Sequence, residues 1–159
     1  MKILDVNGKE LSASWKSEFA GLFAGEGCLF LGTATRKTKK GSHLIYRPEA
    51  IISLRSDDLP LLLEIQSKLG GRLSQRSDSL KGQELPRHRW YVQSKEDLTR
   101  VGLILTGAFL PAKKWRELPY WMESVSLRKG RGQKHTEEEN LRLAFLLQAI
   151  RDIRVFKVR

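Results

Sequence analysis

The first pattern lies near the amino terminus, where apolar Trp15, Phe19, Leu22 and Phe23 recur near helical spacing. Ser14 precedes them as a cap, and Gly25-Glu26-Gly27 reads as the stop. Residues 28–33 are apolar and predict a strand, followed by a basic turn over 36–42. Strand character resumes over 44–55, with Pro48 marking an edge or a kink. Ser56-Asp57-Asp58 reads as a cap with two acids at the positive end of a helix dipole, and Gly70-Gly71 closes that helix. Pro60 is tolerated there because a first-turn residue needs no N–H partner. Short strands follow over 72–78 and 87–93 around a polar loop. Ser94-Lys95-Glu96-Asp97 starts a helix that runs to about Gly107. The segment 111–127, with Trp115, Tyr120 and Trp121, predicts a helix after Pro119. A basic, Gly-rich linker over 128–132 leads to a last helix, boxed by Thr136 and Glu139.

The order is helix, two strands, helix, two strands, then helices. This is an α+β pattern, expected to form a four-stranded antiparallel, saddle-shaped sheet with helices on one face. The other face is then free to bind. In the last strand Trp90 and Val92 alternate with Arg87, Arg89, Tyr91 and Gln93; in the third, Leu73 and Gln75 alternate with Arg72, Ser74, Arg76 and Asp78. In the second, Arg47, Glu49, Ser53 and Arg55 share a parity with Ile51. In the first, Phe30, Gly32 and Ala34 share a face with Arg36 and are not polar readers. Arg pairs with guanine edges and Gln with adenine, so such a face suits both bases and phosphates.

Charge sharpens the picture. The chain has 159 residues, 29 Lys and Arg against 18 Asp and Glu, and a net charge of +11. Basic residues lie along the whole chain rather than on one amphipathic helix, which favours a nucleic acid over a membrane surface. One cysteine, Cys28, excludes an intramolecular disulfide framework, and with His43, His88 and His135 scattered it excludes a zinc finger. No apolar run approaches the roughly 20 residues of a membrane helix. The amino terminus lacks a signal-peptide pattern, so the expectation is an intracellular, non-secreted protein. The length suits a single domain over 1–159, with a core over about 12–128 and a helical extension over about 136–154.

The chemistry concentrates in Phe19-Ala20-Gly21-Leu22-Phe23-Ala24-Gly25-Glu26-Gly27. Small residues recur four apart, Ala20 with Ala24 and Gly21 with Gly25, which on a helix makes a groove that lets another backbone approach. Glycine inside a helix costs about 0.8–1.0 kcal/mol relative to Ala, so close packing is expected to offset it. Glu26 follows at the negative end of the dipole, where a compensating cation is expected. Taken alone, the stretch also fits a glycine-ended helix with a surface acid.

This stretch resembles the LAGLIDADG motif of homing endonucleases. The resemblance extends through Ile51-Ile52-Ser53-Leu54-Arg55-Ser56-Asp57-Asp58-Leu59 with Leu69-Gly70-Gly71, through Arg89-Trp90-Tyr91-Val92-Gln93-Ser94, and through Phe109-Leu110-Pro111-Ala112-Lys113-Lys114. Ala24 departs from it, since many relatives carry an acid there; the acid usually assigned to metal is the later one, matched by Glu26. No second copy of the motif is found: Val101 to Phe109 has a similar apolar pattern, but no acid ends it.

The resemblance implies an αββαββα fold and a homodimer packed through Ala20, Gly21, Ala24 and Gly25. It implies a site-specific double-strand DNA endonuclease, intron- or intein-associated, acting on a long pseudo-palindromic site. Glu26 and the Gly25 carbonyl would hold Mg²⁺, for which Ca²⁺ or Mn²⁺ substitutes, and no organic cofactor is implied. Lys113 or Lys114 would lie near the scissile phosphate, with Lys113 preferred slightly. DNA would contact Arg36, Lys37, Lys39 and Lys40 at the outer ends of the site. Arg47, Ser53, Arg55, Arg72, Ser74, Arg76, Arg87, Arg89, Tyr91 and Gln93 would contact it on the sheet. Two further readings stand beside this one. A catalytically silent member would assist intron splicing or regulate transcription. A small RNA-binding protein is disfavoured, because Tyr91 is nearly alone among stacking aromatics on its face.

Overall fold

A computed structural model describes residues 1–76, 86–130 and 132–155. Helix α1 (Ala13–Glu26) leads straight into β1 (Gly27–Thr38), which turns back as β2 (Gly41–Arg55). A 3₁₀ turn (Ser56–Asp58) and α2 (Leu59–Leu69) precede β3 (Arg72–Arg76) and β4 (Arg87–Val92). Helices α3 (Lys95–Thr106), α4 (Ala112–Ser126) and α5 (Glu137–Val155) follow. The four strands form one antiparallel sheet in the order β1-β2-β4-β3. The expected α+β architecture is what the chain adopts.

Helices cover one face of that sheet. Phe19 and Phe23 of α1, Leu62 and Ile65 of α2, Val101 and Leu105 of α3, Leu118 and Trp121 of α4, and Leu143 and Leu146 of α5 share one core. They meet Leu29, Leu31, Ala50, Ile52, Trp90 and Val92 of the strands. Burial of this apolar set, at about 25 cal/mol per Å², is the main force fixing which face points inward. The opposite face is left to the arginine-bearing positions.

Several boundaries differ from the sequence reading for local reasons. Ser12, not Ser14, caps α1, accepting from the Trp15 amide at 3.2 Å. The helix continues through Gly25 to Glu26, and the strand starts at Gly27. A side chain at Gly27 would strike the Phe23 ring, so glycine alone permits that abrupt exit. The basic segment 36–42 is mostly strand, because β1 and β2 pair as far as Thr38 and Gly41. Pro48 lies in the stretch of β2 that pairs with β1 alone, ahead of the β4-paired residues Ala50 to Arg55.

Ser56 does not cap α2; its hydroxyl donates to the Pro86 carbonyl at 2.5 Å and lies 3.2 Å from His88 Nδ1, tying the turn to β4. Helix α4 runs continuously through Pro119 instead of starting after it. Its exposed proline costs one backbone bond, while Leu118, Trp121 and Val125 anchor both sides in the core. Ser94 caps α3 and Thr136–Glu139 box α5 as expected. Strand β4 ends one residue early, at Val92. The expected strand residues at 77 and 78, the polar loop before Pro86 and Arg131 of the linker fall outside the described residues.

Candidate functional site

Two features stand out as candidate functional surfaces. The first is the carboxyl end of α1. Glu26 is the last residue of that helix and is exposed, as is Gly25 beside it. Carbonyls in a last helical turn lack intrahelical partners, and the dipole makes them electronegative. Lys114, in the first turn of α4, donates from Nζ to the Ala24 carbonyl at 2.5 Å. This is the cation that the negative end of the helix dipole and the adjacent carboxylate call for. Lys113, the lysine preferred from the sequence, reaches instead toward the Arg154 carbonyl, 3.5 Å away.

The outer surface of α1 is unusually bare. Ser14, Ser17, Glu18, Gly21 and Gly25 are exposed along one stripe, and a side chain at Gly21 or Gly25 would enter open space. Ala24 flanks the stripe and is half-buried. Ala20, expected on the same contact surface, is 3% exposed and belongs to the core, because a residue between Phe19 and Phe23 on the inner arc points at the sheet. Gly21 and Gly25 therefore carry the groove without it.

The second feature is the open face of the sheet. Cross-strand register sets Arg36 opposite His43, Gly32 opposite Arg47 and Phe30 opposite Glu49. Cys28, Ile51, Tyr91 and Arg72 form one row across all four strands. Ser53, Arg89 and Ser74 form the next, and Arg55, Arg87 and Arg76 the last. Arg36, Arg47, Ser53, Arg55, Arg72, Ser74, Arg87, Arg89, Tyr91 and Gln93 thus share the uncovered side, and Arg76 occupies a matching register position. Lys37 has the opposite parity, and Lys39 and Lys40 form the turn at the far end of the β1–β2 hairpin. Among the described residues, most of these cations lack an acidic partner in close range; Gln93 Nε2 donates to Glu49 at 2.5 Å, and Arg55 lies 3.7 Å from Asp57. Arg89, in the middle of the face, holds a buried Nε that finds no partner among the described residues.

Sequence reasoning missed one member of this face. Arg128, read as linker, is half-buried, and burial together with the Arg47 charge lowers its pKa while Glu49 opposes that. No local periodicity marks it, since it follows the end of α4 and its placement depends on the tertiary fold. Helix α5, whose role the sequence left open, serves the core. Its Arg154 pairs with buried Glu117 through two bonds of 2.9 and 3.2 Å and also donates to the Leu29 carbonyl, joining α5 to α4 and β1. Glu117 raises the Arg154 pKa in return.

The sequence profile of the LAGLIDADG endonuclease family matches residues 19–123. Among solved structures, the homing endonuclease I-CvuI, in complex with the I-CreI target and 2 mM Mg with the DNA not cleaved, superposes with a TM-score of 0.68. It is 16% identical over 91% of this chain and 84% of that one. The homing endonuclease I-TnaI superposes at 0.66, 18% identical over 91% of this chain and 94% of that one. The I-LtrWI LAGLIDADG homing endonuclease bound to target DNA superposes at 0.65 and 19% identity, covering 87% of this chain but 43% of its own. At these identities the likeness is one of fold. No curated protein sequence matches the chain. No described helix is long and apolar enough to cross a membrane.

Proposed function

The chain belongs to the LAGLIDADG endonuclease family, and we propose from that premise that two copies cut both strands of a long, nearly palindromic DNA site. The observation that supports this reading is the carboxyl end of α1, where exposed Glu26 and Gly25 lie at the junction with β1 and Lys114 binds the neighbouring Ala24 carbonyl. A nuclease of this family would be encoded within an intron or intein and act where DNA is, inside the cell. The whole span 1–159 serves as one catalytic domain, with 136–154 as its helical extension.

The donor set fits a hard divalent cation. A carboxylate and a main-chain carbonyl are oxygen ligands of the kind Mg²⁺ prefers, and Ca²⁺ or Mn²⁺ suits the same set. Among the described residues no three His, Cys, Asp or Glu side chains cluster. A second copy of the chain would add a second carboxylate, and the bare stripe at Gly21 and Gly25 supplies the route. Two copies of α1 packed there bring two Glu26 side chains together, and like charges that close require cations between them. When bound, the ion would stabilise charge on the phosphate oxygens and favour hydrolysis of the phosphodiester.

The chain's own residues do the rest. Arg47, Arg72, Arg87 and Arg89 hold backbone phosphates, and with Ser53, Ser74, Tyr91 and Gln93 they address base edges in a major groove about 12 Å wide. Lys39 and Lys40, on the hairpin end, reach the outer parts of each half-site, as Arg36 and Lys37 do from the adjoining strand. Lys114 keeps a positive charge beside Glu26, where it both steadies the helix terminus and faces charge developing on a phosphate.

The test is incubation with a library of duplexes, sequencing the ends produced in magnesium. Wild type should release paired breaks at one site, whereas Glu26→Gln should leave DNA intact yet bind the same site in calcium. A wild-type protein that binds its target and never nicks it in magnesium would make the chain a binder or splicing factor and end the enzyme reading.

A further inference from the structure

Where β3 begins and β4 ends, the open face sinks into a cavity of about 340 Å³ lined by Arg72, Tyr91, Gln93, Ser94, Asp97 and Arg128 around Gly71. We propose that this cavity is a phosphate-binding seat, with Arg128 and Arg72 as its cations, that takes a phosphodiester group of the duplex; the inference rests on the DNA reading above.

The lining points to an anion. Asp97, its one acid, is already neutralised, since Arg100 donates to its Oδ1 at 2.7 Å. Glu49, the acid next nearest in effect, is engaged by Gln93 at 2.5 Å. Two guanidiniums therefore face the cavity with their local acids committed, and the Arg47 charge disfavours Arg128 further. A third positive neighbour beside a half-buried cation is costly unless an anion joins them. Tyr91, Ser94 and Gln93 add neutral groups able to bond phosphate oxygens.

The backbone at Arg128 is also held in place before any ligand arrives. Its amide donates to the Val125 carbonyl at 3.1 Å, and the preceding Leu127 amide donates to Glu123 at 3.1 Å. Lys95 Nζ binds the Ser126 carbonyl at 2.8 Å, and His135 Nε2 lies 2.7 Å from the Leu127 carbonyl. The stem of the linker is fixed from both sides, so the backbone that carries Arg128 needs no ordering when a ligand arrives. Gly71 completes the floor. Its φ is +86°, and a side chain there would come within 2.7 Å of the Tyr91 carbonyl.

The experiment measures duplex binding from 50 to 200 mM salt for wild type, Arg128→Gln and Arg128→Lys. Each lost phosphate contact makes the plot of log affinity against log salt shallower by about 0.9. Arg128→Gln, which removes one contact from each of the two copies, is expected to flatten the slope by about 1.8 on every duplex, and Arg128→Lys to retain it; a phosphate titration decides if Arg128→Gln fails to fold. A wild-type slope in Arg128→Gln overturns the proposal while leaving the DNA reading, which places Arg72 but not Arg128 on a phosphate, intact. Should wild type bind no duplex, the DNA reading fails by itself. Titration of the full chain with inorganic phosphate, followed through arginine Nε–H resonances, then decides the cavity. A saturable shift at Arg128 sustains it as a phosphate seat, and no shift overturns it.

Discussion

At the level of single residues, the two adjacent lysines separate cleanly. Neighbours on a helix point about 100° apart, so only one of Lys113 and Lys114 can face α1. Which one depends on the phase of α4, set where Pro111 precedes its first turn, and nothing within the dipeptide reveals that. The structure aims Lys114 at the Ala24 carbonyl and Lys113 at the far end of α5. Lys114→Met should therefore lower the rate of DNA cutting by about 100-fold, typical for loss of one charge-stabilising donor. Binding in calcium should stay within a few-fold, and Lys113→Met should cut within a few-fold of wild type. Single-turnover cleavage assays in magnesium check both, and equal losses from the two variants would remove Lys114 from its assigned place. Arg128 teaches the same point about legibility. A residue on a strand declares its face by alternation, whereas one after a helix end declares nothing until the fold is built.

At the level of elements, capping chemistry was readable and lengths were not. The Thr136–Glu139 box forms as its spacing predicts: Glu139 Oε1 accepts from the Thr136 amide at 3.0 Å, and Thr136 Oγ1 accepts from the Glu139 amide at 3.1 Å. The Thr136 amide, aided by Lys129 at 2.9 Å, lowers the Glu139 pKa to about 2 from 4.5. A carboxyl held below its unfolded value stabilises the fold above about pH 4.5 and loses that contribution as pH falls toward about 2. Wild type should thus lose melting temperature between pH 5 and pH 2 more steeply than Glu139→Gln, which keeps the box without the titration. Parallel curves from the two proteins would refute the assignment; thermal scans by circular dichroism give them. By contrast, β1 outran its apolar stretch, because cross-strand pairing with β2 carries a basic segment that alone reads as a turn. Helix α4 likewise survives Pro119 through core contacts on both sides. Tertiary partners overrode local preference in both cases.

At the level of the whole molecule, the faces of the sheet were legible because strand parity is strict, and a one-residue slip would have buried the arginines. The reach of the α1 surface was not, since the four-residue repeat of small side chains cannot say which pair faces out. Burial of Ala20 leaves Gly21 and Gly25 as the bare pair, and this makes the assembly testable with opposing signs. Gly21→Leu places its side chain in open space within one copy and gains about 0.8 kcal/mol of helix propensity, so an isolated chain should melt no lower than wild type at matched low concentration. The same side chain wedges two α1 helices apart. Sedimentation should then find the variant as single chains at concentrations where wild type pairs, and cutting should vanish, because each Glu26 is left without a second carboxylate to share an ion. Stability and assembly moving in opposite directions is a signature that general misfolding does not produce. A Gly21→Leu protein that still pairs and still cuts would put the two-fold contact somewhere other than α1.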